Sequence, residues 1–174
     1  MRLDQLPTGA RVGPASADPG ALLAVDTARR YAELARAPFR TVGVPPGWEH
    51  LNVHPSSDPG PADVELTAPP LGGVPPYRLA HRLAWLAGTT VEAAEEELGA
   101  WRRLVAGWAE EPSRPMCAQV QQDLLAAAAT LETGTAVAVL RGSLDLGLPP
   151  GCLFETWAWA DRLLGLDLAA DVGR

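Results

Sequence analysis

Apolar residues recur at intervals of three and four positions over residues 76–109, the spacing of two consecutive amphipathic helices. Their apolar positions are Leu79, Leu83 and Leu86 in the first helix, and Val91, Ala94, Leu98, Trp101, Val105 and Trp108 in the second. Gly88 stands between the two stripes, where a left-handed helix cap favours glycine. Thr89 and Glu92 follow with the spacing of a capping box. The pattern predicts a helix–turn–helix hairpin at the centre of the fold.

Three more segments have the periodicity and the end signals of helices: residues 19–37, 115–132 and 149–165. Asp18 precedes the first of them and is suited to cap it, since proline follows at the first helical position. Residues 135–148 are ambiguous, because both strand and helix spacing fit them. We favour helix there because the neighbouring segments are helical.

Residues 39–75 hold eight of the 17 prolines and are the least regular part of the chain. We predict a mainly α-helical compact domain of about five helices around the hairpin, with this proline-rich segment either irregular or forming short strands. The alternative is an α+β fold with a small sheet built from residues 39–44, 48–54, 62–68 and 135–140. Within it, 62–68 alternates apolar and polar residues as a half-buried strand does.

The chain has 174 residues, a length typical of one domain with a substantial core. We predict a single domain over 1–174, with an N-terminal arm at 1–17 and a loose tail at 166–174. The sequence has no secretory leader and no apolar run long enough for a bilayer. Two cysteines do not make a disulfide framework, and the absence of lysine and isoleucine indicates a GC-rich genome. A cytoplasmic bacterial protein is the expectation.

The net charge is −7 and the sequence pI is about 4.9, which argues against nucleic acid and anionic membranes as partners. The hairpin has the outline of a DNA-binding helix-turn-helix unit, so a DNA-binding regulator is one alternative function. Four glutamates in the first half of its second helix disfavour that alternative, since phosphates would repel them: Glu92, Glu95, Glu96 and Glu97. We expect Glu92, Glu95 or Glu96 to meet the basic side chains Arg78, His81 and Arg82 of the first helix.

Side chains suited to catalysis are densest in residues 48–54, where His50 and His54 share one side of either a strand or a helix. The two imidazoles are candidate metal ligands if a third ligand joins them, and His81 is a candidate to do so. The residue after His50 is leucine, whereas zinc proteases have glutamate there. The second alternative function is a small enzyme that uses the same histidines as catalytic groups.

Cys117 and Cys152 each follow a proline at a predicted helix start, where a lowered thiol pKa can produce a nucleophile. Cys152 is the stronger catalytic candidate, because its Pro-Pro-Gly-Cys turn can present the side chain. No phosphate-binding loop or nucleophile-elbow motif occurs, so no cofactor is implied by a motif.

Large aromatic residues are the remaining feature, because they dominate both cores and interfaces. The candidates for a partner-binding surface are Trp101, Trp108, Trp159 and Phe154. Trp157 and Trp159 lie two positions apart on a helix, so we expect one of them to reach the surface. Our leading hypothesis is a non-catalytic accessory or regulatory module that binds a protein partner, or a second copy of itself, through an aromatic helical face.

Overall fold

The protein is mainly α-helical with a small sheet: helices hold 53% of the chain and strands 5%. The structure, a computed structural model, describes residues 1–58 and 60–174. Within them lie helices α1 (Pro19–Ala35), α2 (Leu79–Ala87), α3 (Val91–Trp108), α4 (Ala118–Ala129), α5 (Thr133–Gly142) and α6 (Pro150–Leu164). The strands there are β1 (Arg11–Pro14), β2 (Arg40–Thr41) and β3 (Val64–Leu66), and short 3-10 helices cover Leu3–Gln5, Glu49–Leu51 and Ser143–Leu146.

The strands form a parallel sheet in the order β2-β1-β3. α1 joins β1 to β2 and supplies the long crossover connection that parallel neighbours require. Val12 of β1 lies opposite Thr41 on one side and Val64 on the other, and its side chain is fully buried. The central strand is therefore also the one closest to the core.

Residues 1–17, which were predicted to form an N-terminal arm, contain β1 and are therefore part of the sheet. A strand this short, with partners that lie far along the chain, leaves no periodic signal. The segments 39–44 and 62–68 do contain strands. In contrast, residues 48–54 hold a 3-10 helix and 135–140 lie in α5, so those two parts of the alternative sheet are wrong.

The predicted loose tail at 166–174 is also corrected, since Leu166 and Leu168 at its start are fully buried. The carboxylate of Asp161 holds this segment by accepting hydrogen bonds from the backbone N–H groups of both leucines, at 2.8 and 3.0 Å. Side chains from the end of the chain therefore complete the core.

The helix–turn–helix hairpin is present, with two changes at its ends. α2 begins at Leu79, after the proline segment that was predicted to open it. The cap of α3 is Thr90, whose hydroxyl accepts a hydrogen bond from the backbone N–H of Ala93 at 3.3 Å, in place of the predicted Thr89 and Glu92. Gly88 has the predicted left-handed conformation.

α6 is buried on more than one side, because it packs against α1, α3 and α4. The ring of Trp157 is fully buried and meets Trp101 and Trp108 edge-on, with centroids 5.2 and 5.3 Å away. Trp159, on another side of the helix, is only 9% exposed. The expectation that Trp157 or Trp159 reaches the surface is therefore wrong, since both sides of the helix face other elements.

None of the helices in residues 1–58 and 60–174 combines the length and the apolar character needed to cross a bilayer.

A cluster of buried charges joins elements that are distant in sequence. The carboxylate of Asp26 in α1 has no exposed surface and lies 2.7 Å from Arg30 Nε and 2.8 Å from Arg82 Nη2. The Arg82 contact lies outside hydrogen-bond geometry, so it is an ion pair without a directed bond. Arg29 binds the other carboxylate oxygen at 2.9 Å. We call Asp26, Arg30 and Arg82 the buried charge cluster.

The two buried arginines use their remaining donors on backbone carbonyl groups. Arg82 donates from Nε to Leu164 at 2.6 Å and from Nη1 to Leu51 at 2.9 Å. Arg30 donates to the carbonyl of Asn52 at 2.7 Å. The cluster thus connects α1 and α2 with the 3-10 helix Glu49–Leu51 and the end of α6.

Burial and charge act in opposite directions on the pKa of Asp26. Removal from water would raise it, but Arg82 and Arg30 outweigh that effect and hold it well below its usual range. Burial also lowers the pKa of Arg82 to about 10, which leaves the guanidinium charged at neutral pH.

We expect Asp26→Asn to lower the free energy of unfolding by about 3–5 kcal/mol, because it leaves buried guanidinium charges unpaired. The stabilisation from Asp26 should also depend on pH. The pKa of Asp26 is about 3.9 in the unfolded chain and lower in the folded protein. The stabilisation from Asp26 is therefore complete above about pH 3.9 and is lost as the pH falls from there toward the folded-state pKa. Urea unfolding at pH 7 and near pH 3.5 measures both effects.

The matched control is Glu33→Gln, because Glu33 also pairs with Arg29 but is exposed. This variant should change the free energy of unfolding by less than about 1 kcal/mol. Equal effects of the two substitutions would contradict a special role for the buried charge cluster.

Gly165 allows a close approach of backbone to the cluster. A Cβ atom at this position would lie 2.7 Å from Arg30 Cζ and 2.9 Å from Arg82 Cζ, and the residue has φ = +67°. Gly88 has almost the same φ of +65° but open space around it. We expect Gly88→Ala to cost about 1–2 kcal/mol of backbone strain and Gly165→Ala to cost about 1–3 kcal/mol more. Thermal or urea unfolding of the two variants measures the difference, and equal losses would contradict the close packing.

Candidate functional site

A surface cleft with aromatic walls lies beside the start of α2. Its volume is about 460 Å³, and it is lined by Gly47, Trp48, His50, Pro75, Pro76 and Tyr77. We call it the aromatic cleft. Trp48 and Tyr77 are half-buried, whereas His50 and both prolines are exposed. Val74, beside the prolines, is 78% exposed and extends the apolar surface.

The three rings of the cleft lie close to one another with small angles between their planes. The centroid of Tyr77 is 6.3 Å from Trp48 at 28° and 6.4 Å from His50 at 9°. Trp48 and His50 are 5.8 Å apart at 37°. The exposed parts of these rings present π-faces and edges to a ligand, with few polar atoms among them.

The buried charge cluster holds the segment that carries two of these rings. Trp48 and His50 belong to the turn around the 3-10 helix Glu49–Leu51, and Leu51 is fully buried. Asn52 ends this turn in the left-handed conformation, at φ = +55°. Its carbonyl accepts from Arg30 and Arg82, and its side-chain amide donates to the carbonyl of Gly165 at 3.0 Å. The rings therefore stand on a turn that is attached to the core.

The cleft has a negative charge at its rim. Glu49 lies between two ring-bearing residues, and its carboxylate accepts a hydrogen bond from the backbone N–H of Gly47 at 3.2 Å. Its own backbone N–H and that of Gly47 lower its pKa, so the group is charged at neutral pH. No arginine within residues 1–58 and 60–174 forms an ion pair with it. The nearby Arg78 is paired with Glu95 at 2.8 Å, one of the contacts expected within the hairpin.

His81 lies buried behind the cleft, edge-on to Tyr77 with centroids 5.3 Å apart. Its Nδ1 atom accepts a hydrogen bond from the backbone N–H of Arg78 at 3.0 Å, which requires that nitrogen to be unprotonated. Burial is the largest effect that lowers the pKa of His81, and the charge of Arg78 adds to it. The neutral imidazole thus supports the start of α2.

The candidate catalytic and metal-binding residues divide between the surface and the interior. His50 is in the cleft, His54 is exposed outside its lining, and His81 is buried. Within residues 1–58 and 60–174, no three side chains of histidine, cysteine, aspartate or glutamate come together as a metal site would need. Cys152 is buried, and its sulfur lies 4.0 Å from the hydroxyl of Thr156, which also accepts from the backbone N–H of Cys117.

The aromatic candidates for partner binding lie mainly in the core. Trp101 is 4% exposed and Trp159 9%, while Trp108 and Phe154 are half-buried and pack against the core. The aromatic residues of these helices therefore pack inside the protein. Only parts of the Trp108 and Phe154 rings are accessible to another molecule.

A second cleft lies where β3 ends and α5 begins. It has a volume of about 430 Å³, and Trp85, Thr67 and Thr135 are among its lining residues. The end of a strand in a parallel sheet is a common place for a ligand. Here, however, the indole N–H of Trp85 already donates to the carbonyl of Pro69 at 3.0 Å, which leaves the ring without a free polar group.

No protein-family model, curated protein or solved structure matches the chain.

The sequence pattern singles out residues 48–54 as rich in side chains suited to catalysis, but nothing in it connects them with Tyr77. The missing information is tertiary, because the second wall of the cleft comes from Pro75, Pro76 and Tyr77, in the segment just before α2. One local signal was available: an aromatic residue stands immediately after a proline pair at Tyr77, and another follows a proline–glycine pair at Trp48.

We expect His81 to make the stability of the protein depend on pH near neutrality. Its folded-state pKa is below the unfolded value of about 6.5, so its stabilising contribution is present above that pH and is lost as the pH falls below it. His81→Gln keeps a hydrogen-bond acceptor for the start of the helix but does not titrate.

Urea unfolding at pH 7.5 and pH 5 should therefore show a larger loss of free energy of unfolding for the native protein than for His81→Gln. Equal losses would contradict the assignment of a buried, neutral imidazole. A histidine ring-proton NMR titration of His81, with an expected midpoint below 6.5, is an independent measurement.

Proposed function

We propose that this protein is a non-catalytic binding module that recognises a protein partner through the aromatic cleft. The observation that carries the proposal is the set of three accessible rings, Trp48, His50 and Tyr77, on a surface continuous with exposed prolines. Aromatic residues with partly exposed faces are enriched among the anchors that contribute most of the energy of protein interfaces.

The chemistry of the lining favours binding over catalysis. Acid–base or nucleophilic catalysis uses pairs of groups within hydrogen-bond reach of each other. Among the six lining residues, His50 is the only imidazole, no carboxylate, thiol or amine accompanies it, and the remainder offer mainly aromatic and apolar surface. An aromatic and apolar lining of this kind is suited to contact an apolar segment of another protein.

The cleft replaces the aromatic helical face as the proposed contact surface. Trp101 and Trp159 are committed to the core, and Trp108 meets Trp157 edge-on. Removal of these rings from the core to meet a partner would expose large apolar areas, whereas the cleft rings are accessible without any rearrangement.

Affinity capture with the immobilised protein, followed by quantitative mass spectrometry, tests this function. From an extract of the source cells, we expect proteins that are retained by the native chain and lost with the Trp48→Ala variant. Truncation of an aromatic anchor typically weakens binding by tenfold or more, that is by about 1.4 kcal/mol or more. Native mass spectrometry of the same samples reports whether the partner is a second copy of the chain.

The matched control is Leu104→Ser, which removes an exposed apolar side chain of α3 at 41% exposure. This variant should retain the same proteins as the native chain. Loss of partners with Leu104→Ser but not with Trp48→Ala would move the contact surface back to a helical face and contradict the proposal.

A further inference from the structure

We propose that the aromatic cleft binds a proline-rich segment of a partner protein in the polyproline II conformation, with a basic residue next to the prolines. This inference rests on the proposed function and names the class of its ligand.

The aromatic walls of the cleft suit the proline rings of a polyproline II helix. That helix has three residues per turn and rises about 3.1 Å per residue, so the same face recurs about every 9.3 Å. The ring centroids of Trp48, His50 and Tyr77 are 5.8–6.4 Å from one another, so the three rings form one compact group. Such a group can contact one turn of the ligand, and aromatic-lined grooves are the sites on which proline-rich segments dock.

The lining also matches what such a ligand offers. Prolines present apolar ring surfaces and no N–H, and the backbone of a polyproline II helix makes no internal hydrogen bonds and stays solvated. The carbonyl groups of this ligand are free to accept hydrogen bonds from the indole N–H of Trp48 and the hydroxyl of Tyr77 in the cleft. The ligand is rigid before it binds, so it loses little conformational entropy in a shallow site.

Charge complementarity argues for the basic residue. The carboxylate of Glu49 stands at the rim, 3.2 Å from the backbone of Gly47, and has no ion-pair partner in the part of the chain that the structure describes. The adjacent Arg78 is already neutralised by Glu95. The charged Glu49 beside the cleft is therefore suited to attract an arginine or lysine of a ligand and to repel an acidic one.

The ring arrangement disfavours two other ligands of aromatic sites. A quaternary ammonium group is held in a cage of rings that face it from several directions, but the planes here differ by only 9–37°. Nucleic-acid bases also stack on such rings, but the binding of their phosphates needs a positive surface.

Synthetic peptides test the inference directly on the full chain. The first peptide has two prolines at Pro-x-x-Pro spacing and a terminal arginine, the second has glutamate in place of the arginine, and the third has alanine in place of both prolines. Isothermal titration calorimetry gives affinities, and the indole N–H signals in ¹H–¹⁵N NMR spectra report which tryptophan is touched.

We expect the arginine peptide to bind and to shift the indole signal of Trp48. The glutamate peptide should bind about two- to fivefold more weakly, and Glu49→Gln should remove most of that difference. The alanine peptide should bind at least about tenfold more weakly than the first. Trp48→Ala should cause a loss of similar size.

His50→Ala is the second test variant, because His50 is exposed and its replacement leaves the core intact; it should weaken binding as well. His54→Ala is the control, an exposed histidine of the same segment that does not line the cleft, and it should bind like the native chain.

Three results would overturn the inference. One is no binding of the arginine peptide, another is equal binding of the alanine peptide, and the third is binding that is unchanged in both Trp48→Ala and His50→Ala. If the peptide fails while Trp48-dependent capture from extract persists, the ligand class is wrong and the binding function stands. If capture is also independent of Trp48, both proposals fail.

Discussion

The ion pairing of Asp26 with Arg82 and Arg30 is the interaction on which the arrangement of this protein depends. Burial of a carboxylate and two guanidinium groups costs several kcal/mol per ion, and only pairing with good geometry offsets that cost. Each group here has partners: the carboxylate contacts three arginines, and the arginines reach carbonyl groups at Leu51, Asn52 and Leu164. Displacement of any of these elements would leave a buried charge or carbonyl without a partner. The cluster therefore specifies one way in which the helices and the irregular segment fit together.

The same network determines the shape of the candidate site. The turn that carries Trp48 and His50 ends at Asn52, whose carbonyl and amide are bound by Arg30, Arg82 and Gly165. On the other wall, the start of α2 is supported by the buried imidazole of His81. A surface cleft built in this way is organised before a ligand arrives, and a preorganised site loses less entropy on binding. These buried polar groups thus hold the backbone that carries the rings of the cleft, and His81 also meets Tyr77 edge-on.

Aromatic residues in this chain have two separate roles that the linear pattern does not distinguish. Trp101 and Trp157 form an edge-on pair inside the helical core, and Trp159 is enclosed on another side of α6. Trp48 and Tyr77 lie instead in or beside the proline-rich segment and keep part of their rings accessible. A tryptophan at helical spacing fits a core position and an interface position equally well, because both bury the same apolar area. Only the presence or absence of a facing element separates the two.

The local pattern of residues was sufficient to predict every helix except α5, which it left ambiguous. The other helices depend on interactions within about four positions, such as the Asp18 cap of α1, the glycine turn at Gly88, and the apolar stripes of α3 and α6. It also indicated the strand in 62–68, where apolar and polar side chains alternate. The position of β1, the burial of Arg82 and Asp26, and the meeting of Trp48 with Tyr77 depend on residues that lie 29 to 56 positions apart. A charged residue in an amphipathic helix looks the same in sequence whether it faces water or a buried counter-ion. Long-range contacts resolve that ambiguity, and in this protein they create both the buried charge cluster and the aromatic cleft.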